Sequence, residues 1–443
     1  MLRINPDALW LAAARDAAMR SDQPLGPLHG IPILLKDNVD TGDSMPTSAG
    51  ALALADSYAP RDTPLVRWLR QAGAIILGKT NMTELANYMT TGMPGGYSSL
   101  GGQVRNAHHP DLAVAGSSSG SAVAVAAELC SVAIGTETSG SILRPAEMSG
   151  IVGIKPTVGL VSRTGIVPIC NAQDTAGPLA RTVADAARVL TVIAGRDEAD
   201  PATLAAPDAE DYANYLDAAG ARDARVGVPR ASYWDRQAPE LAAVLDRAIA
   251  VLTELGVEVV DPAEIESDRE SEAPGSWATR VMLLEFKAAI NAYLHSLGPG
   301  APMKSIRDII AFNDAHPRET LRYGQNQLLR AEHETSGRMV EREYLEGRLT
   351  DLRRSRRQGI DGTLQAHGLD AILFPGAAGA AISARAGYPT VHVPLGFAEV
   401  SDAPPPLRPL GVSFAGTAFS EGRLVQIAHA FEQATQARRR PEL

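Results

Sequence analysis

The chain has 443 residues, 45% hydrophobic and 21% charged, proportions of a globular enzyme with ample material for a large core. A formal net charge of −10 with no compensating basic stripe excludes a nucleic-acid-binding surface. No apolar run approaches the ~20 residues a spanning helix needs, so no membrane segment is expected.

Asn5, Pro6 and Asp7 read as the N-cap and first turn of a helix. The segment has acidic residues and no cleavage-site pattern, so it is not read as a signal peptide. A cytoplasmic protein is expected. IPILLKD (31–37) is a short apolar run ending in charge, the pattern of a buried strand with a functional tip. Thr63-Pro64 opens a helix that stops at Gly73, and AIILGKTN (74–81) is the next strand. A glycine-rich loop over 92–116 is too long for an idle connection. Helix 119–129, strand 132–137, helix 141–149, strand 151–155 and a helix 182–194 capped by Thr182 follow. Residues 196–224, rich in Ala, Asp and Pro, form a surface excursion. RVGVPR (225–230), helix 238–255 and VEVVDP (257–262) resume the alternation. The stretch 266–368 reads as helical and polar without strands. Its basic run Arg353, Arg354, Arg356 and Arg357 follows Glu341, Glu343 and Glu346, as on a solvated helix face. AILFPG (371–376), TVHVPLGF (390–397) and GVSFAG (411–416) return to strands before a last helix near Ser420.

This alternation predicts an α/β fold: one large mixed, mostly parallel β-sheet covered by helices on both faces. A single domain over 1–443 is expected, with a helical insertion at about 266–368 on the substrate side. Cys130 and Cys170 lack a CxxC partner or nearby histidines, so they read as buried thiols and not as zinc ligands.

Three features carry chemistry. Gly116-Ser117-Ser118-Ser119-Gly120 matches G-x-S-x-G, the nucleophile elbow of α/β-hydrolases, with Ser118 central and His392 or His429 as later partners. The preceding HHPDLAVA is a weak strand for such an elbow. Thr138-Ser139-Gly140-Ser141 ends a strand and opens a helix, where successive small residues let backbone N–H groups converge on an oxyanion. The plainer reading of that turn is an N-cap. Lys36 ends an apolar strand, where burial disfavours its charged form, and Ser-Lys pairs are a known variant of the serine triad. The alternative for Lys36 is a salt bridge to Asp37 or Asp40.

Together, HGIPILLKDN, AGSSSGSA, GTETSGSILRPA and GIKPTVGLVSRTGIVP, in this order, resemble the amidase signature family. The resemblance covers 5–195 and returns at AGYPTVHVPLGF and FAGTAFSEGRLVQIAHAFEQA. It implies Ser141 as nucleophile, Ser117 as a bridging serine in a cis peptide bond and Lys36 as general base. It also implies an oxyanion hole from the backbone of Thr138, Ser139, Gly140 and Ser141. Ala86-Asn87-Tyr88 is similar to the family segment that lines the acyl pocket, making Asn87 and Tyr88 substrate contacts. No metal or organic cofactor is required. The implied partner is a small-molecule amide, with which a homodimer is compatible. The family also includes the amidase-type component of tRNA-dependent amidotransferases, which works inside a complex and whose acyl pocket holds a charged anchor. Here the matching FPGAAGAAISARAGYP is small and apolar apart from Arg385, which favours a stand-alone hydrolase.

The chain departs from the usual pattern at Ser119, Glu137, Ser139 and Leu143, with Arg144 one place later than the usual arginine. Ser119 and Glu137 fit the branch that resembles peptide amidases. Ser139 and Leu143 flank the nucleophile and bear on the oxyanion hole. The chain also begins later than most relatives, which carry further N-terminal helices.

Overall fold

The computed structural model describes residues 1–21, 24–208, 210–269, 279–398 and 407–442. Within them the strands are β1 Arg3–Ile4, β2 Pro32–Lys36, β3 Ile75–Thr80, β4 Tyr97–Ser98, β5 Gly102–Gln103, β6 Val132–Glu137 and β7 Val152–Lys155. They continue as β8 Thr175–Ala180, β9 Arg225–Gly227, β10 Glu258–Val260, β11 Ala371–Pro375, β12 Thr390–Ala398 and β13 Arg408–Ala415. Eleven of them form one mixed sheet in the order β1-β3-β2-β6-β8-β7-β12-β13-β11-β9-β10; β4 and β5 pair separately. The expected parallel pairing holds in two flanks, β3-β2-β6 and β11-β9-β10. Between β6 and β11 the pairing is antiparallel.

Strand β8 has no counterpart in the sequence reading. Its residues TAGPLA lack the β-branched and aromatic side chains that mark strands, and Gly177 and Pro178 argue against one. Its place between β6 and β7 explains the composition. A Cβ on Gly177 would stand 2.1 Å from the Ile154 carbonyl oxygen, so this position takes only glycine.

Capped helices fall where expected. Thr63 and Thr182 each accept the N–H three residues on, from Val66 and Asp185, and open helices Pro64–Gln71 and Val183–Ile193. The first helix starts at Ala8, later than the Asn5 cap implies. Asn5 instead accepts the Asp7 N–H and donates to Ile76 O, tying the turn to β3. In 196–224, apart from residue 209, which lies outside the described residues, three short 3-10 turns are capped by Asp200, Asp211 and Asp217. No described helix is long and apolar enough to cross a membrane.

The sheet's main core packs against helices Val183–Ile193, Pro239–Glu254 and Glu421–Thr435. The region expected as a polar insertion is helical and strand-free in its described residues, with 270–278 lying outside them. Its inner faces are not polar. Leu283, Phe286, Ile290, Ile306, Ile309 and Leu328 join Leu54, Met82, Leu85 and Ile169 in a second core. The basic run is likewise divided. Arg353 and Arg357 are exposed, whereas Arg354 and Arg356 turn inward and donate to the carbonyls of Ser267 and Ala386.

Candidate active site

Strands β2 and β6 are parallel neighbours, so Lys36 and Glu137 leave the sheet at the same edge. Lys36 is fully buried, and its Nζ donates to Ser117 Oγ at 2.7 Å, Thr136 Oγ1 at 2.8 Å and Thr136 O at 3.0 Å. Removal from water is the largest influence on this amine and lowers its pKa to about 7; Glu137 and Asp174 pull the other way. The alternative for Lys36, a salt bridge to Asp37 or Asp40, is not formed. Those carboxylates face Lys79, a second buried lysine.

The first serine cluster lies between β3 and β6. The Gly116–Ser117 peptide bond is cis. Ser117 O accepts the Thr83 N–H at 3.1 Å, and the Ser118 N–H donates to Ser141 O at 3.1 Å. These bonds pin both serine clusters together beside Lys36. Ser117 is fully buried, whereas Ser141 keeps 7% of its surface open. Its hydroxyl has no hydrogen-bond partner among the described residues, which leaves it available to a ligand.

The turn after β6 is built around Glu137. Its carboxylate accepts the N–H groups of Gly140 at 2.7 Å, Ile142 at 2.7 Å and Leu143 at 3.0 Å. These bonds delay the helix to Leu143–Ser149, so Ser141 stands in the turn and not in the first helical residue expected. They also correct the oxyanion-hole reading at Gly140, whose N–H is already satisfied. The N–H groups of Thr138, Ser139 and Ser141 make no hydrogen bond to the described residues. On the other side, Thr138 Oγ1 donates to Asp174 at 2.5 Å and Gln173 donates to Thr138 O at 3.1 Å.

Other candidates go elsewhere. Ser118 is buried, donating to Thr136 O at 3.1 Å and accepting from Thr136 N–H at 3.2 Å, so its hydroxyl is committed to the β6 backbone. His392 hydrogen-bonds Ser413, and burial holds its pKa down to about 3; His429 lies beside Glu432. Neither histidine serves Ser118, which removes the elbow arrangement. Tyr88 packs edge-on against Phe286 in the second core and Asn87 is exposed. Their neighbour Ala86, not they, lines the cleft beside Thr136, Glu137 and Thr138. Leu143, at the start of the helix after Ser141, packs with Ala377 and Ala380 from the segment after β11 in a small buried cluster. Arg385 lies 3.9 Å from Asp351 of the helical region.

Sequence reasoning passed over Thr136, Asp174 and Gln173, and saw Glu137 only as a departure. A signal was available: Glu137 ends the strand that precedes Ser141, and Asp174 lies in QDTAGP, a polar pair entering an apolar segment.

The profile of the family described as Amidase matches residues 1–425. The structure is similar to that of native peptide amidase from Stenotrophomonas maltophilia, at 44% identity and TM-score 0.89, covering 100% of this chain and 90% of that one. An Arabidopsis thaliana protein named "probable amidase" is 38% identical over 450 residues, spanning 100% of this chain and 84% of its own length. A glutamyl-tRNA(Gln) amidotransferase chain of Moorella thermoacetica is 34% identical over 471 residues, 100% of this chain and 91% of that protein.

Proposed function

The chain belongs to the amidase family, hydrolases of amide C–N bonds, and from that premise we propose that Ser141 is the nucleophile, Lys36 the base and Ser117 the hydroxyl between them. The observation that carries this reading is the 2.7 Å contact between Lys36 Nζ and Ser117 Oγ, held by a backbone bond from Ser118 to Ser141. A lysine with pKa about 7 is substantially neutral at physiological pH and can take a proton. Ser141 Oγ attacks the amide carbonyl while its proton passes through Ser117 to Lys36. The oxyanion is received by the N–H groups of Thr138, Ser139 and Ser141. Collapse of the tetrahedral intermediate breaks the C–N bond, and the amine leaves with the relayed proton. Water then attacks the acyl-enzyme, giving its proton to the same relay and releasing the acid.

The substrate is a neutral carboxamide, with C-terminal peptide amides and aryl or alkyl amides the leading class. The likeness to a peptide amidase supports that choice. The catalytic unit is one domain carrying its helical region on the substrate side. Labelling with a fluorophosphonate followed by peptide mass spectrometry tests the assignment: the adduct is expected on Ser141, and an adduct on Ser118 overturns it.

A further inference from the structure

Asp174 is the group through which three parts of the molecule meet at the turn that holds Ser141. One carboxylate oxygen accepts the Thr138 hydroxyl at 2.5 Å; the other accepts the N–H groups of Ile169 at 2.8 Å and Cys170 at 2.9 Å. The loop it fastens continues to Ala172, whose N–H is bound by Glu285 of helix Val281–Ser296 at 3.0 Å. Glu285 in turn accepts the Tyr344 hydroxyl at 2.9 Å. A carboxylate this buried is costly unless its lone pairs are used, and here three protein donors engage it. Burial still raises its pKa, to about 6.

We propose that Asp174 is a positioning residue for amide hydrolysis, aiming the oxyanion turn through Thr138 and carrying a negative charge on the Lys36 side of that turn. The proposal rests on the assignment of Lys36 as base. Lys36 is faced by Glu137 at the end of β6 and by Asp174 from the loop before β8. Asp174 is faced by Arg163, whose charge is shared with Asp200, while Cys170 is faced by both Asp174 and Glu285. Thr138 stands one residue beyond Glu137, so the two carboxylates grip the turn from opposite sides: Glu137 through its later N–H groups, Asp174 through its first side chain. Removing the charge at Asp174 destabilises the ammonium of Lys36, which then stays neutral to lower pH.

Asp174→Asn and Thr138→Val separate these two effects. In Asp174→Asn, the amide oxygen can still accept from Ile169 and Cys170, and the Thr138 hydroxyl can turn to accept from the amide NH2. The expected result is an acid limb of kcat/KM moved to lower pH. In Thr138→Val the link to the turn is cut, and Asp174 loses the hydrogen bond that most lowers its pKa. There kcat on the alkaline plateau is expected to fall roughly tenfold, less than the ~10²–10³ of losing an oxyanion donor, with KM unmoved. A merely structural role would lower thermal stability and leave the limb in place. An unmoved limb in Asp174→Asn, or normal kcat in Thr138→Val, overturns the proposal. Should Asp174→Asn not fold, normal kcat in Thr138→Val is enough to overturn it. Lys36→Ala, measured alongside, tells the two readings apart. Its activity at near-normal level removes the base assignment and the proposal with it, whereas an inactive Lys36→Ala with an unmoved Asp174→Asn limb removes only the proposal.

Discussion

Lys36 is surrounded by groups that accept hydrogen bonds, yet burial lowers its proton affinity more than the two nearby carboxylates raise it. The sign for catalysis follows. With the neutral amine as the proposed base, activity should fall as pH drops through about 7, with the limb lying far below the ordinary lysine value of 10.5. A pH profile of kcat/KM on a neutral amide checks this, and a flat profile from pH 6 to 9 would count against the base. Lys36→Ala should lose several orders of magnitude in kcat with an unchanged circular dichroism spectrum, and Ser117→Ala should lose substantially as well. Near-normal turnover in either variant would sink the relay. The places of Lys36 at the end of β2 and of Ser141 in the turn after β6 were legible in sequence, because a charge ending an apolar strand and a small-residue turn opening a helix are local patterns. Ser117 was assigned by resemblance alone. Glu137 and Asp174 were not legible as braces, because a carboxylate's value here depends on N–H groups brought to it by folding, and no spacing announces them. Ser118 shows the converse: a sequence match to the elbow motif whose hydroxyl the folded chain spends on the backbone of β6.

Among the elements, those with a local cause were the ones sequence could place. The Thr63 and Thr182 caps bound their helices, and apolar runs such as IPILLK and AIILGK located β2 and β3. Strand β8 had none of these marks, because its residues are chosen for closeness to β6 and β7 and not for packing volume. Gly177→Ala tests that account. The added methyl would meet the backbone of Ile154 at 2.1 Å, and backbone in a central strand cannot yield as a side chain can. A loss of about 1–3 kcal/mol is expected, read as a lower denaturant midpoint at unchanged slope. Stability equal to wild type would mean that the centre of the sheet has room to shift. The helical region teaches a related point. Its charged surface dominates the sequence pattern, while Phe286 and Ile290 share a core with residues just over 200 positions earlier, such as Leu85 and Met82. Long-range partnership of this kind leaves no periodic trace that distinguishes a covering layer from a polar excursion.

At the scale of the whole molecule, the question is which amide reaches Ser141. The chain aligns along its full length with an amidotransferase component as well as with amidases, so the fold alone does not choose. The 44% identity to a peptide amidase, against 34% to the amidotransferase chain, is what favours a stand-alone hydrolase. Leu143 begins the helix after Ser141 and packs with Ala377 and Ala380 in a small buried cluster, beside which the Glu147 carboxylate accepts the Ala377 N–H at 3.1 Å. Arg385, the one cation in residues 374–389 and the candidate anchor for a charged substrate, lies 3.9 Å from Asp351 of the helical region. An α-ammonium or α-carboxylate buried without a partner loses its hydration at a cost of several kcal/mol per ion. A neutral primary amide or anilide should therefore be hydrolysed with higher kcat/KM than glutamine or asparagine, by the protein alone. Each kcal/mol of unmatched desolvation is about a fivefold preference, so a gap of at least tenfold is expected. Ammonia or aniline release from a panel of amides measures it. Glutamine ranking first, or activity that appears only when the other amidotransferase components are added, would reverse the assignment and place the charged anchor somewhere other than Arg385.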